Sequence, residues 1–331
     1  MKITMAHGSG GASTSELISN IFAKHFKNEV LDRMEDSAVV PGSSRIAVTT
    51  DSFVVTPYFF PGGDIGRLSV CGTVNDLLMS GAVPKYLTCG CILEEGMDMD
   101  DLDKIIESMA ATADEAGIKI ITGDTKVVEK RGDFGGIMIN TSGVGFMPES
   151  VSLSPAGCKD GDALIISGNL GDHHAAILSG RMNIKNEIKS DNAPLGEMVS
   201  ALISNGIRVH AMRDVTRGGL GTVLSEFANA SECTIDIYQD KIHVSPAVKD
   251  FCKMLGLDPV YMGNEGKMIC VVDEADADKA VELIRGAKYG ENACIIGNVS
   301  TRDNGKVILH TGIGGERIIG PLYGEGLPRI C

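Results

Sequence analysis

Residues 51–82 read DSFVVTPYFFPGGDIGRLSVCGTVNDLLMSGA. The stretch opens where RIAVTT (45–50), a strand by its composition, ends at Asp51. DIGRLSVCGTVNDLLMSGA (64–82) then carries helical spacing, with Val70, Val74, Leu77 and Leu78 on one side. At about 100° per residue Asp76 falls on the other side, outside that apolar stripe. YLTCGCIL (86–93) follows as a second strand. Strand, helix and strand in succession set a mixed α/β order.

The same order extends in both directions. Ahead lies an arm, MKITMAHGSGG, and a first helix with a Ser13/Glu16 capping box and an apolar stripe of Leu17, Ile18, Ile21, Phe22 and Phe26. Behind it, a helix is expected over 98–116 with Gly117 as its stop, then strands over 118–122, ending at Gly123 and Asp124, and over 137–146. MPESVSLSPAGCKDGD reads as a domain boundary near residue 150. Beyond it strands are expected at 163–167, 234–238, 268–272 and 293–299, with helices at 172–180, 194–205, 217–230 and 273–287. From Gly312 to Cys331 periodicity is lost among glycines and prolines, which reads as a tail.

Composition narrows the function classes. A net charge of −14 argues against nucleic acid, whose phosphates need clustered Lys and Arg. No apolar run approaches the ~20 residues of a membrane span, and the first residues lack a signal core, so a cytoplasmic location is expected. Nine cysteines without framework spacing fit a reducing compartment, and Cys89-Gly-Cys91 reads as strand core rather than metal site.

Neither a P-loop nor a strict GxGxxG fingerprint is present. The candidate parts are the glycine loop His7-Gly8-Ser9-Gly10-Gly11 and the aspartates Asp51, Asp76, Asp124 and Asp214. Singly, each aspartate reads as a turn or cap residue. Together, at strand ends, they read as carboxylates gathered on one rim, able to hold Mg²⁺ while glycine N–H groups close over phosphates. MRDVTRGGL (212–220) leads into a helix N-terminus with two arginines, either an anion site or a capped helix start with solvated arginines. His173 and His174 are adjacent, so on a helix they diverge and do not share an ion. Lys126 and Glu265 are acid–base candidates at chain turns, with an exposed surface residue as the plain alternative.

AHGSGG, the 51–82 block, TGDTKVV, MRDVTRGGL, NEGK and the closing PRIC, in this order, closely resemble the HypE family of hydrogenase-maturation carbamoyl dehydratases. That family sits among the aminoimidazole-ribonucleotide synthetase-like ATP enzymes, with selenophosphate synthetase and thiamine-phosphate kinase. The resemblance implies a two-domain α/β (α+β mixed) fold with a flexible C-terminal tail. Its divisions would be a glycine arm and first helix (1–30), an ATP-binding and dimerisation domain (31–150), a C-terminal α/β domain (151–311) and a tail (312–331). It implies a homodimer in which sheets of two subunits complete a barrel. It implies ATP near Gly8, Gly10, Gly11, Asn75, Gly123 and Arg217, with Mg²⁺ on Asp51, Asp76, Asp124 and Asp214. Two positions depart from the family pattern: His174 stands where Gly is usual, and Val215 where Pro is frequent.

The implied reaction gives the terminal thiol a task. Cys331 would receive a carbamoyl group from the carbamoyltransferase HypF. ATP would drive loss of water to an S-cyano group, and the HypC–HypD iron-carrying complex would take the cyanide. An amide oxygen leaves poorly, so it must first become a phosphate ester, a transfer that needs positioning and charge stabilisation. A base must then take the N–H proton, with Glu265 the first candidate and Lys126 the second. Eleven residues from Gly320 to Cys331 reach at most ~35–40 Å. The alternatives are a passive C-terminal thiol carrier, or a selenophosphate synthetase-like enzyme, which would need a reactive Cys that AHGSGGAST lacks.

Overall fold

The computed structural model describes residues 1–9, 12–33, 37–130 and 135–322. They fall into two units, Met1–Leu77 with Ala82–Glu149, and Leu78–Gly81 with the chain from Ser150 onward.

The first unit is built on a four-stranded sheet in the order β1-β6-β4-β5. The strands are β1 (Ile46–Phe53), β4 (Val83–Glu94), β5 (Lys119–Val128) and β6 (Ile137–Phe146). β6 runs antiparallel to both β1 and β4, and β4 runs parallel to β5. A small pair, β2 (Phe59–Phe60) and β3 (Gly63–Asp64), leads into α3 (Ile65–Met79). Asp64 caps that helix: its Oδ1 accepts from the Gly66 and Arg67 N–H groups at 2.7 and 3.0 Å, and its Oδ2 accepts from the Ser108 hydroxyl at 2.7 Å.

The helix expected over 98–116 is α4 (Met99–Glu115), capped by Asp98, with Leu102, Ile105, Ile106 and Met109 fully buried. The helix at 65–79 differs from expectation. Leu68, Ser69, Val70, Cys71, Thr73 and Val74 are all buried, so there is no single apolar stripe. A helix covered on nearly every side has no need of amphipathic spacing. Two of its polar residues reach the sheet: Thr73 bonds Thr141 at 2.5 Å, and Asp76 accepts from the Thr49 hydroxyl at 2.9 Å.

Two further corrections concern the first helix and the strand ends. The helix begins at Ala12, in α1 (Ala12–Leu17), so Ser13 lies inside it rather than at its cap. A π-helical turn (Ile18–Phe22) joins it to α2 (Ala23–His25). β1 and β5 run on past the points where the sequence suggested they stop, so Asp51 and Asp124 lie within strands. Glycine and acidic residues are poor strand formers, and pairing with β6 and β4 overrides that weak local preference.

The second unit carries a seven-stranded sheet in the order β13-β12-β9-β11-β7-β10-β8. These are β7 (Ala163–Ile166), β8 (Val209–Asp214), β9 (Thr234–Tyr238), β10 (Met268–Val272), β11 (Cys294–Ser300), β12 (Lys306–His310) and β13 (Glu316–Ile319). Helices α5 (Asp172–Arg181), α6 (Gly196–Ser204), α7 (Gly219–Ala230), α8 (Pro246–Leu255) and α9 (Ala277–Gly286) accompany it. Every residue of β10 is buried. Leu164, Ile166, Ile269, Val271 and Phe227 belong to one core, and Ala175, Val248, Phe251 and Met262 to another.

The expected tail starts too early. Residues 316–319 form β13, with Glu316 opposite His310 and Ile319 opposite Val307, so the Gly-rich run before them is a hairpin turn. Past β13, the Tyr261 hydroxyl donates to the Gly320 carbonyl at 3.1 Å. The Cys331, Gly10 and Gly11 assignments lie outside the described residues.

Asp64→Ala should lower stability by about 1–2 kcal/mol, the typical worth of a helix cap, read as a fall in thermal midpoint. A change within experimental scatter would mean that α3 needs no cap.

Candidate active site

In the first unit the seam between β1 and α3 gathers two of the aspartates. Positions 49 and 51 share one face of β1, while 72 and 76 lie one turn apart on α3. Thr49 bonds Asp76, and Gly72 lies against Asp51: a Cβ on Gly72 would stand 2.8 Å from the Phe53 ring and 3.5 Å from Asp51 Oδ2. Asp51 Oδ1 accepts from the Ser52 N–H at 2.9 Å. Asn75 is buried on the same helix.

Asp124 is elsewhere. Asp51 pairs with Thr141, Thr141 with Cys89 and Cys89 with Gly123, so β1 and β5 are opposite edges of the sheet. Three interstrand steps amount to roughly 14 Å. Asp124 pairs with Lys126, whose Nζ lies 2.8 and 2.7 Å from its carboxylate oxygens. That ammonium holds the Asp124 carboxyl below the usual range. The turn at Met5–Gly8 packs on the same strand, where a Cβ on Gly8 would come within 2.7 Å of the Val127 nitrogen. A cavity of about 150 Å³ lies alongside, lined by Ile18, Phe22, Phe26, Cys89, Gly123 and Asp124. Cys89 and Cys91 stand 3.6 Å apart, both buried, and the hydrogen bond between them, with burial, pushes the Cys91 thiol up, as befits core residues.

In the second unit, three loops meet at one end of β7, β10 and β8. Met268 opens β10 opposite Asp214 of β8, and it exchanges hydrogen bonds with Ser167 beyond β7, at 3.0 and 2.9 Å. Asp214 and Glu265 are both buried there, and Arg217 is exposed ahead of α7. Asn264 locks the loops together. Its side-chain oxygen accepts from the Gly171 N–H at 2.7 Å, and its amide nitrogen donates to the Val215 and Met262 carbonyls. Lys267 is also buried, its Nζ 3.0 Å from the Gly266 carbonyl and 3.7 Å from Asp191 Oδ2.

Within the first unit Asp51 and Asp76 share a seam while Asp124 lies on a far strand, and Asp214 belongs to the second unit. Among the described residues no group of three or more His, Cys, Asp or Glu is placed to hold a metal ion. Sequence reasoning missed Thr49, Asp191, Asn264 and Lys267. NEGK contained two of them, yet only its glutamate was singled out. Asp191 lies in an aperiodic loop that gave no signal.

His173 and His174 open α5 as buried side chains, His173 with its Nδ1 2.7 Å from the Ser190 hydroxyl. Burial pushes both down to about 4. Burial, with the Asp191 charge adding to it, pushes the neighbouring Asp172 up to about 6.

These features match known proteins. The family profile for the N-terminal domain of AIR synthase related proteins covers residues 34–147, and that for the C-terminal domain covers 159–310. A carbamoyl dehydratase HypE from Cupriavidus necator is 44% identical over the whole chain and 95% of its own length. One from Escherichia coli is 41% identical, covering 99% of both chains. Among solved structures, HypE in complex with ATP superposes with a TM-score of 0.95 at 43% identity, covering 99% of each chain. HypE in a HypE–HypF complex gives 0.81 at 45%, covering 94% of this chain and all of the other. The chain is thus a two-domain protein of the AIR synthase related class. Within that class it belongs to the HypE family.

The buried histidines predict the acid response. They bind protons near pH 4 when folded but near 6.5 when unfolded, so the unfolded chain holds more protons between those values and stability falls as pH drops through that window. Asp172 acts in the opposite sense between about 6 and 3.8, because the folded state protonates first. Two groups outweigh one, and the thermal midpoint should fall from pH 6.5 toward 4. His174→Gln should make that fall shallower; an unchanged slope would show that His174 is not held neutral.

Proposed function

We propose that this protein performs the ATP-dependent dehydration of a carbamoyl group carried on its own Cys331 thiol, leaving an S-cyano group. The observation that carries this reading is identity of 41–44% with carbamoyl dehydratases HypE along the whole chain. ATP is the co-substrate, in keeping with the HypE–ATP complex to which the fold is so close. The carbamoyl donor is HypF, and the HypC–HypD iron complex receives the cyanide for a [NiFe] hydrogenase.

The carbamoyl oxygen attacks the γ-phosphorus, releasing ADP and forming a C–O–P bond. One of the two N–H protons is lost as this phosphorylated imidate forms; a base then takes the second, the C–O bond breaks with phosphate as leaving group, and C≡N forms. Glu265 is the base: it is buried at the meeting of three loops. Lys126 serves better as a charge beside Asp124, since its ammonium is already donating to that carboxylate. Gly8, packed against Val127 of β5, is a proposed nucleotide contact, as are Gly10, Gly11, Asn75, Gly123, Asp214 and Arg217.

Mg²⁺ suits the first unit's seam. Asp51 and Asp76 offer hard oxygen donors, and the missing Cβ of Gly72 lets α3 approach the Phe53 ring and Asp51 of β1 closely. A bound Mg²⁺ would draw its remaining ligands from phosphate oxygens and water and neutralise phosphate charge. Asp124 would act at the phosphates from its own strand.

The uncovered face of the first sheet supports a homodimer. Ile46, Val48, Val83, Ile92 and Val128 are exposed there, an apolar surface that a second copy would bury. The eight described cysteines are free thiols, in keeping with the cytoplasm. Among the described residues no helix is long and apolar enough to cross a membrane.

Intact mass after carbamoylation by HypF should fall by one water on adding MgATP. The fall should be absent in Cys331→Ala and slowed about 10²-fold in Asp51→Asn, the scale of a lost electrostatic contact. Full conversion in Cys331→Ala would end this reading. Val48→Asp with Ile92→Asp should shift light-scattering mass from dimer to monomer; an unchanged mass would place the dimer contact elsewhere.

A further inference from the structure

Asp191 touches three consecutive residues of the loop that carries Glu265, and the reaction chemistry gives it no part. Its Oδ1 accepts from the Glu265 N–H at 3.0 Å. Its backbone carbonyl lies against Gly266 so closely that a Cβ there would overlap it. Its Oδ2 lies 3.7 Å from Lys267 Nζ, and both side chains are nearly inaccessible, at 4% and 10% exposure. The loop answers in kind, with the Glu265 carbonyl accepting from the Ala193 N–H at 3.4 Å.

The surroundings leave Asp191 little freedom. Ser190 bonds His173 of α5, and its hydroxyl accepts from the Asn192 N–H at 3.1 Å. The stem of Lys267 runs over Gly168, where a Cβ would stand 2.9 Å from its Cε. On the other side, Asn264 is held to Gly171, Val215 and Met262. Glu265 thus sits between a residue fixed by Asn264 contacts and one fixed by Asp191. A charge-assisted bond to its own N–H sets the backbone from which its carboxylate projects.

We propose that Asp191 is the positioning residue for Glu265, holding the NEGK loop by its N–H bond and by the buried ion pair with Lys267. This rests on the reading of Glu265 as base. Asp191 does not touch the carbamoyl group. Its effect is on the rate of proton removal, because displacement of a catalytic group by about 1 Å costs on the order of 10²-fold. ATP binding, assigned above mainly to the first unit, is left alone.

The test uses the full-length protein carbamoylated by HypF, with single-turnover loss of water followed by mass at several MgATP concentrations. Asp191→Ala should slow the limiting rate about 10²-fold while the half-saturating ATP concentration stays within about twofold. It should also raise hydrogen exchange at the Glu265 amide by at least tenfold, since its acceptor is gone. Asp191→Asn keeps an oxygen at Oδ1 and should restore most of the protection and rate. Should Asp191→Ala fold poorly because Lys267 is left buried and unpaired, Asp191→Ala with Lys267→Met removes that charge and is read in the same way. A limiting rate at the native level in either alanine variant, or amide exchange unchanged in both, overturns the proposal. Glu265→Gln separates the two readings. A native rate there removes Glu265 as base, whereas a slow Glu265→Gln beside a native-rate Asp191→Ala removes only the role of Asp191.

Discussion

Met268 is the backbone position on which the second unit's loop cluster depends. It opens a fully buried strand next to the edge strand β8, faces Asp214 across one ladder and exchanges two hydrogen bonds with Ser167 on the other side. A strand paired on both sides cannot slip by one residue without turning its side chains to the opposite faces. The residues just ahead of it, Asn264 to Lys267, therefore enter the cluster at a fixed height. Asn264 then ties the loops after β7 and β8 to this one, and a buried carboxylate is delivered among them. A buried polar network of this kind is stable only when its members are bonded, so its stability and its geometry have the same source.

The first unit solves a different problem with similar means. Asp51 and Asp76 are brought together because two spacings coincide: two residues along a strand and four along a helix. Thr49 and Gly72 are the small residues that let strand and helix approach there. The exposed Asp124–Lys126 pair on β5 has no such burial, and water screens it, so its worth lies in the charge it offers a ligand rather than in stability. One unit thus offers carboxylate oxygens and an ammonium, and the other a buried carboxylate.

Much of this was legible in the residues. The helix at 99–115 announced itself by its apolar spacing and by Gly117, and the strands at 137–146 and 268–272 by their β-branched content. What stayed hidden was decided by tertiary pairing. β8 reads VHAMRD and shows no alternation, yet β10 pairs with it; β13 follows a glycine run that suggested a tail, yet β12 claims it. At 65–79 the apolar residues read as packing are buried and Asp76 is half-buried, but burial on nearly every side blurs the single stripe. The motif residues were visible from their strings, whereas Thr49 and Asp191 act through contacts across the fold that no local pattern encodes.

The central claim is chemical: ATP turns the carbamoyl oxygen into a leaving group, and phosphate carries that oxygen away. Its most direct measurement is the fate of a heavy-oxygen label placed in the carbamoyl group on Cys331, followed through one turnover with MgATP. Transfer through a phosphate ester puts the label in inorganic phosphate, with one labelled phosphate for each S-cyano group formed. Label recovered in water, with unlabelled phosphate, would contradict it.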